Sequence, residues 1–169
     1  MRTEVEIADV PKAERMRLLP VLEESFDGLY LWHSKRTLSS IEVVRAARTA
    51  NGEDAGLVML KLIGNTQGYV YYVAVPSRFR RRGIGGRLVD DAVSYLAGRG
   101  VGELFASVPG DNVESSALFF SKGFKRVDRS EMAERYGRMR SLLMYREMMM
   151  VPGEILLRKG LEAKLQPAS

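Results

Sequence analysis

The sequence has no cysteine and a single histidine, His33. The first absence excludes disulfides, cysteine-ligated zinc, iron–sulfur clusters and a thiol nucleophile, and the second excludes a metal site built from several histidines. No metal site is expected. Amide side chains are sparse, confined to Asn51, Asn65, Asn112, Gln67 and Gln166. No apolar run approaches the ~18–20 residues of a membrane span, and the opening residues MRTEVEIADV hold no apolar signal segment. The expectation is a cytoplasmic domain without a membrane partner.

What is present is ordinary for a globular chain: 169 residues, 46% hydrophobic and 28% charged. A chain of this length buries roughly 70% of the surface its unfolded form exposes, so one core needs no staples. The net charge is +5, and much of the excess is concentrated, since arginine fills positions 78–82 apart from Phe79. Such a cluster suits an anionic ligand or a nucleic acid, and equally a solvated charged face.

Residues 3–7 alternate polar and apolar, as a half-buried strand does. Asp9 and Pro11 open a helical stretch with Leu18, Leu19, Val21 and Leu22 on one side, which Pro20 should kink. Residues 27–40 hold the only tryptophan and histidine with weak periodicity, and read as a loop with at most a short helix. Residues 41–49, 56–63 and 69–75 are β-rich and separated by Asn51-Gly52 and Gly64-Asn65, an antiparallel meander. Residues 85–96 place Leu88, Val89, Ala92, Val93 and Leu96 on one helical face, ended by Gly98 and Gly100. A strand at 104–108, a short helix at 115–122 and strands at 124–127 and 141–146 follow. From Gly153, the spacing of Leu157, Leu161 and Leu165 predicts a last helix, so residues 1–150 read as the domain and 151–169 as a helical tail. The order implies a mixed α/β sheet.

The segment with most chemical content joins the meander to the first long helix: Val73-Ala74-Val75, then Arg80-Arg81-Arg82-Gly83-Ile84-Gly85-Gly86. A helix's first turn offers unpaired N–H groups and the positive end of its dipole, a natural phosphate site. Glycine lets backbone approach the anion, and arginine adds bidentate donors. The P-loop pattern fails because Gly85 is followed by Gly86-Arg87, and the dinucleotide pattern fails for want of its last glycine. A pyrophosphate cradle of another kind remains, with a tight strand-to-helix turn as its plainer rival.

Over residues 3–149 the sequence resembles the GNAT-type N-acetyltransferases. Arg80-Arg81-Arg82-Gly83-Ile84-Gly85 matches their R/Q-x-x-G-x-G/A loop, and the run from Asn112 through Phe119 to Gly123-Phe124 matches their Asn, short helix and Gly-Phe. The resemblance implies an acyl-CoA N-acyltransferase fold, a mixed, mostly antiparallel sheet flanked by helices. It implies acetyl-CoA as co-substrate, held by Val73, Ala74, Val75, Arg80, Arg81, Arg82, Gly83, Ile84, Gly85, Gly86, Asn112 and Phe119. It further implies direct attack of a primary amine on the thioester, with a backbone N–H near Val75 supporting the developing oxyanion. The acceptor, a peptide or a small molecule, would meet segments 27–33 and 131–136, hence Tyr30, Trp32 and Tyr136.

One departure stands out. Many family members carry a tyrosine four residues before the Gly-Phe glycine, and here that position is Phe119, which has no proton to donate. No catalytic residue is assigned. Glu23, Glu24, Glu42, Glu103 and Tyr136 are candidate bases of equal standing, and the expected assembly is a monomer or homodimer. His33 reads as a packing or surface histidine, Asn112 as cap or cofactor ligand, Tyr69, Tyr71 and Tyr72 as strand packing, and Met148-Met149-Met150 as filler. A CoA-binding sensor without chemistry, motivated by Phe119, is the main alternative; a basic nucleic-acid-binding domain is the lesser one.

Overall fold

The computed structural model describes residues 3–162. Seven strands hydrogen-bond in the order β1-β2-β3-β4-β5-β7-β6. The chain divides into two compact units, one formed by the residues up to Lys61 with Val70–Ala92, the other by Leu62–Tyr69 with the residues from Val93 onward.

In the first unit, β1 (Val5–Asp9) pairs antiparallel with β2 (Val43–Thr49), and β2 pairs antiparallel with β3 (Asp54–Ile63). The expected turn at Asn51-Gly52 is there, with Gly52 at φ +82°. Pro20 does not kink a helix; it starts one. A 3₁₀ segment runs over Lys12–Leu18, and α1 (Leu19–Ser25) begins with Pro20 in its first turn, where the missing N–H costs nothing. Residues read as mostly loop form an 11-residue helix, α2 (Gly28–Leu38). Its periodicity is weak because few of its side chains are buried, among them Ser34 and Leu38. Leu18, Val21, Leu22, Leu38, Ile41, Val44, Leu57 and Met59 form this unit's core. Through it runs a buried cation: the Arg15 guanidinium donates to the carbonyls of Val10, Leu38, Ile41 and Glu42 at 2.6–3.2 Å. Burial lowers its affinity for the proton, and four carbonyl dipoles replace the water it has lost.

β4 (Gln67–Ala74) leads through a 3₁₀ turn at Ser77–Phe79 into α3 (Ile84–Ala97). Gly100, at φ +80°, ends that helix with paired bonds, Val101 N–H to Leu96 O and Gly100 N–H to Ala97 O.

In the second unit, β5 (Glu103–Pro109) pairs antiparallel with β7 (Glu154–Gly160), which in turn pairs antiparallel with β6 (Lys125–Val127). Three helices accompany them: α4 (Val113–Ser121), α5 (Arg129–Tyr136) and α6 (Arg138–Met148). Three expectations are corrected here. The strand expected at 141–146 is part of α6, where Ser141, Met144 and Met148 turn inward at helical spacing and Leu142 and Leu143 stay outside. The helical tail expected after Gly153 is β7. Leucines four apart share a face of a strand as well as of a helix, so Leu157 and Leu161 did not discriminate; Leu165 lies outside the described residues. The late loop expected at 131–136 is α5, opened by a reciprocal cap in which the Asp128 side chain accepts from Glu131 N–H and the Glu131 side chain accepts from Asp128 N–H, both at 2.9 Å. Among the described residues, no helix is long and apolar enough to cross a membrane.

Candidate functional site: a strand-to-helix anion cradle

The loop between β4 and α3 is the most strained stretch of backbone in the first unit. Arg81, a non-glycine residue, sits at φ +62°, and Gly83 follows at +79°. A left-handed residue set between residues of the opposite hand turns neighbouring backbone N–H groups to one side and makes a concavity suited to anions. Gly83 O accepts the first helical bond, from Arg87 N–H at 3.1 Å, so the amides of Ile84, Gly85 and Gly86 lie in the first turn, where no intrahelical acceptor exists. Gly83 has no side chain with which to cap them.

The helix approaches the sheet closely because β3 carries Gly56 at the contact. A Cβ there would lie 2.9 Å from Ala74 O, 3.0 Å from Leu88 Cδ1 and 3.3 Å from Ile84 Cγ2. Ile84 and Phe79 are buried and hold the two ends of the loop. Sequence reading passed over Gly56; its signal was a glycine inside an otherwise apolar strand.

The arginines divide into two kinds. Arg78 is matched by carboxylates, at 2.8 Å to Glu53 and 3.3 Å to Glu24, and stacks over Phe79. Arg80 donates to Val75 O at 3.1 Å, and Arg82 reaches Thr3 Oγ1 at 3.5 Å. Both are exposed, and neither partner is charged. Within β4, residues 67–70 are buried while Tyr71, Tyr72 and Val73 are only half-buried, so the strand is partly open just before the loop.

The second unit holds the other residues singled out from the sequence. Asn112 is an N-cap: its Oδ1 accepts from Ser115 N–H at 3.0 Å. Phe119 is buried and meets Phe124 edge-on, ring centroids 5.1 Å apart. Gly123 at φ +83° closes α4, with Phe124 N–H bonded to Phe119 O and Gly123 N–H to Phe120 O.

Of the candidate bases, Glu23 pairs with Lys35 at 2.7 Å, Glu24 with Arg78, and Glu42 is exposed on the first unit. Glu103 and Tyr136 are brought together, Tyr136 donating to Glu103 Oε2 at 2.7 Å. Arg158 and Gln67 donate to the same carboxylate. Burial alone would raise the Glu103 carboxyl, but these hydrogen bonds outweigh it and hold it below the usual carboxylate range. Burial and the bond to Glu103 push Tyr136 up to about 12, so its hydroxyl keeps its proton at neutral pH and is not poised as a base. Tyr30 is half-buried on α2, and Trp32 is exposed with Arg36 5.5 Å from its ring. A cavity of about 400 Å³ in the second unit, bordered by Arg126, Arg129, Tyr145 and Pro152, contains none of the candidate cofactor, acceptor or base residues.

The model of the acetyltransferase (GNAT) family matches residues 15–124. This chain belongs to the GNAT acetyltransferase family. No curated protein gives a significant sequence match. Solved structures do. The ribosomal-protein-S18-alanine N-acetyltransferase of Escherichia coli is 16% identical, with TM-score 0.68 and coverage of 98% of this chain and 99% of that one. The PaiA N-acetyltransferase of Thermoplasma acidophilum, solved with coenzyme A, is 16% identical, with TM-score 0.69 over 93% and 99% of the two chains. A GNAT acetyltransferase of Elizabethkingia anophelis, solved with acetyl-CoA bound, is 19% identical, with TM-score 0.67 over 93% and 98%. At these identities the likeness is one of fold: the mixed seven-stranded sheet flanked by helices is that of the GNAT acyl-CoA N-acyltransferases.

Proposed function

We propose that this GNAT protein transfers the acetyl group of acetyl-CoA to a primary amine by direct attack in a ternary complex. The observation that carries the reading is the loop at 80–86, where Arg81 and Gly83 take left-handed conformations ahead of an uncapped helix start. Its chemistry fits a pyrophosphate: first-turn amides of Ile84, Gly85 and Gly86, the dipole of α3, and Arg80 and Arg82 with neutral partners only. The half-open stretch of β4 suits backbone pairing of Val73, Ala74 and Val75 with the pantetheine arm. Asn112 and Phe119 are proposed cofactor contacts as well, on the strength of the family resemblance, each also holding α4 in shape. Tyr30, Trp32 and Tyr136 are the proposed acceptor contacts, Tyr136 through its ring because its hydroxyl is bonded to Glu103.

Bound acetyl-CoA supplies an activated acyl carbon and a thiolate leaving group. The chain's part is to orient that carbon, to present an N–H near Val75 where negative charge develops, and to accept the ammonium proton. With Phe119 lacking a hydroxyl, no side chain at that position protonates the thiolate, whose unperturbed thiol pKa of roughly 8.5 makes it a fair leaving group unaided.

The same phenyl ring favours a second reading, a CoA-binding sensor without turnover. The nucleic-acid reading loses support from the pairing of Arg78 with Glu24 and Glu53. The test is the thermal unfolding midpoint with acetyl-CoA, using ATP as anion control. Ligand at ~100 times its dissociation constant adds about 2.7 kcal/mol, an upward shift of roughly 5–10 °C. A shift specific to acetyl-CoA, followed by CoA release with an amine, supports the enzyme; the shift without release supports the sensor. An equal shift with ATP overturns both.

A further inference from the structure

Helix α2 and strand β4 bring together an aromatic cluster in the first unit, of which His33, Tyr71 and Tyr72 read as packing from the sequence. His33 on α2 stacks on Tyr71 of β4, ring centroids 5.8 Å apart and planes 7° from parallel. Its Nδ1 shares a hydrogen bond of 3.1 Å with the Tyr72 hydroxyl. Phe26 lies against Tyr72 at 5.3 Å, Tyr71 meets Tyr72 edge-on at 5.3 Å, and Trp32 lies 6.3 Å from the imidazole. Phe26, His33, Tyr71 and Tyr72 are all half-buried, and Trp32 is exposed, so the rings pack on one another and still present surface. Tyr71 and Tyr72 immediately precede Val73–Val75, the strand segment proposed to pair with the pantetheine arm. His33 Nε2 has no partner among the described residues.

Resting on the acetyltransferase reading above, we propose that this cluster receives a primary amine carried on a flat, apolar or aromatic body, and that His33 is the catalytic base that takes its proton. Ring faces supply both apolar area for the body and negative quadrupole for the ammonium. In the tautomer that donates Nδ1–H to the Tyr72 hydroxyl, the Nε2 lone pair is the one left to accept. It takes one proton from the ammonium. The freed nitrogen lone pair forms the C–N bond at the acyl carbon, the C–S bond breaks, and the departing thiolate takes the second amine proton, leaving amide and CoA thiol. The imidazolium then returns its proton to solvent. Imidazole is the side chain suited to this exchange near neutrality. The titratable side chains in contact with it are the phenols of Tyr71 and Tyr72; Arg36 lies over the Trp32 ring, and α2 also carries Lys35, paired with Glu23 of α1.

The experiment measures CoA release from the full chain with 2-phenylethylamine, spermidine and glutamate as acceptors, alongside the midpoint shift with acetyl-CoA. The expected result is a kcat/KM for 2-phenylethylamine at least about tenfold above the other two. His33→Gln should lower kcat about a hundredfold at pH 7 and keep the acetyl-CoA midpoint shift. Its rate should then climb about tenfold per unit between pH 7 and 9, following the neutral fraction of the amine, while the unsubstituted protein climbs less; a merely structural role would not produce that divergence. A preference for spermidine or glutamate, or turnover of none of the three, overturns the acceptor class. A His33→Gln kcat within twofold of the parent overturns the base. If His33→Gln does not fold, Tyr72→Phe decides: about a tenfold fall in kcat at unchanged KM for acetyl-CoA is expected, and an unchanged kcat overturns the assignment. Failure of acetyl-CoA to shift the parent's midpoint would instead defeat the acetyltransferase reading, and this proposal with it.

Discussion

Two glycine-bearing segments enter or leave helices in this chain, and they use their polar backbone in opposite ways. In the Asn112–Phe124 segment every special residue is answered from within: Asn112 caps α4, Gly123 turns the chain so that two carbonyls are bonded, and Phe119 and Phe124 close the joint. In the 80–86 loop the first-turn amides of α3 have neither an intrahelical acceptor nor a side-chain cap from Gly83. Arg81 bears a left-handed conformation that costs a non-glycine residue on the order of 1–3 kcal/mol, and the helix starts on a glycine that cannot cap it. A framework joint satisfies itself, whereas a binding loop holds its donors ready at a cost in stability. Glycine alone does not tell them apart.

The comparison can be broken most directly at the loop. Gly85→Glu places a carboxylate beside first-turn amides and against any pyrophosphate; the expected outcome is loss of the whole acetyl-CoA midpoint shift with the fold retained, read by thermal unfolding. Full acetyl-CoA affinity in that variant would make the loop a framework joint like the other. Next in size is Gly56→Ala. Its Cβ would meet a backbone oxygen at 2.9 Å, so unfolding by denaturant should show a loss of about 1–3 kcal/mol, and the acetyl-CoA shift should weaken because the start of α3 is displaced. Asn112→Ala sharpens the other side. Loss of the cap should cost about 1 kcal/mol of stability in the same assay, and the acetyl-CoA shift should shrink, as befits a cofactor contact, but not vanish as with Gly85→Glu.

The smallest effect concerns pH. Tyr136 is held up at about 12 in the folded chain, against about 10 for an unperturbed tyrosine, so its contribution is fully present below pH 10 and is lost as pH rises toward 12. Tyr136→Phe should flatten the alkaline fall in unfolding midpoint over that interval. Glu103 works in the other direction: its lowered carboxyl contributes above the ordinary range near pH 4 and is lost on further acidification.

How far the sequence carried this architecture depended on burial. The meander and α3 were legible because their apolar residues repeat at two and at 3.6, and the turn between them because its glycines interrupt both patterns. Helix α2 was obscured by exposed Leu29 and Trp32, which break the inward pattern, and α6 by exposed Met139, Leu142 and Leu143, which imitate a strand. The Asp128–Glu131 cap that opens α5 was present as D-x-x-E and was overlooked. Contacts distant in sequence left no local trace: Arg15 serving carbonyls up to 27 residues away, Gly56 beneath α3, and His33 meeting Tyr71 and Tyr72. A lone histidine with weak periodicity around it reads as packing until its neighbours in space are known.

The place of β7 bears on how the chain is made. Its seven residues lie between β5 and β6 although it follows both in sequence, and β6 has its pairing through β7. While Glu154–Gly160 is still inside the ribosome, β5 and β6 each carry a row of unanswered amides and carbonyls, the template on which strands of other nascent chains can add. Until that strand is laid between them the two edges stay open, and β7 acts as their keystone.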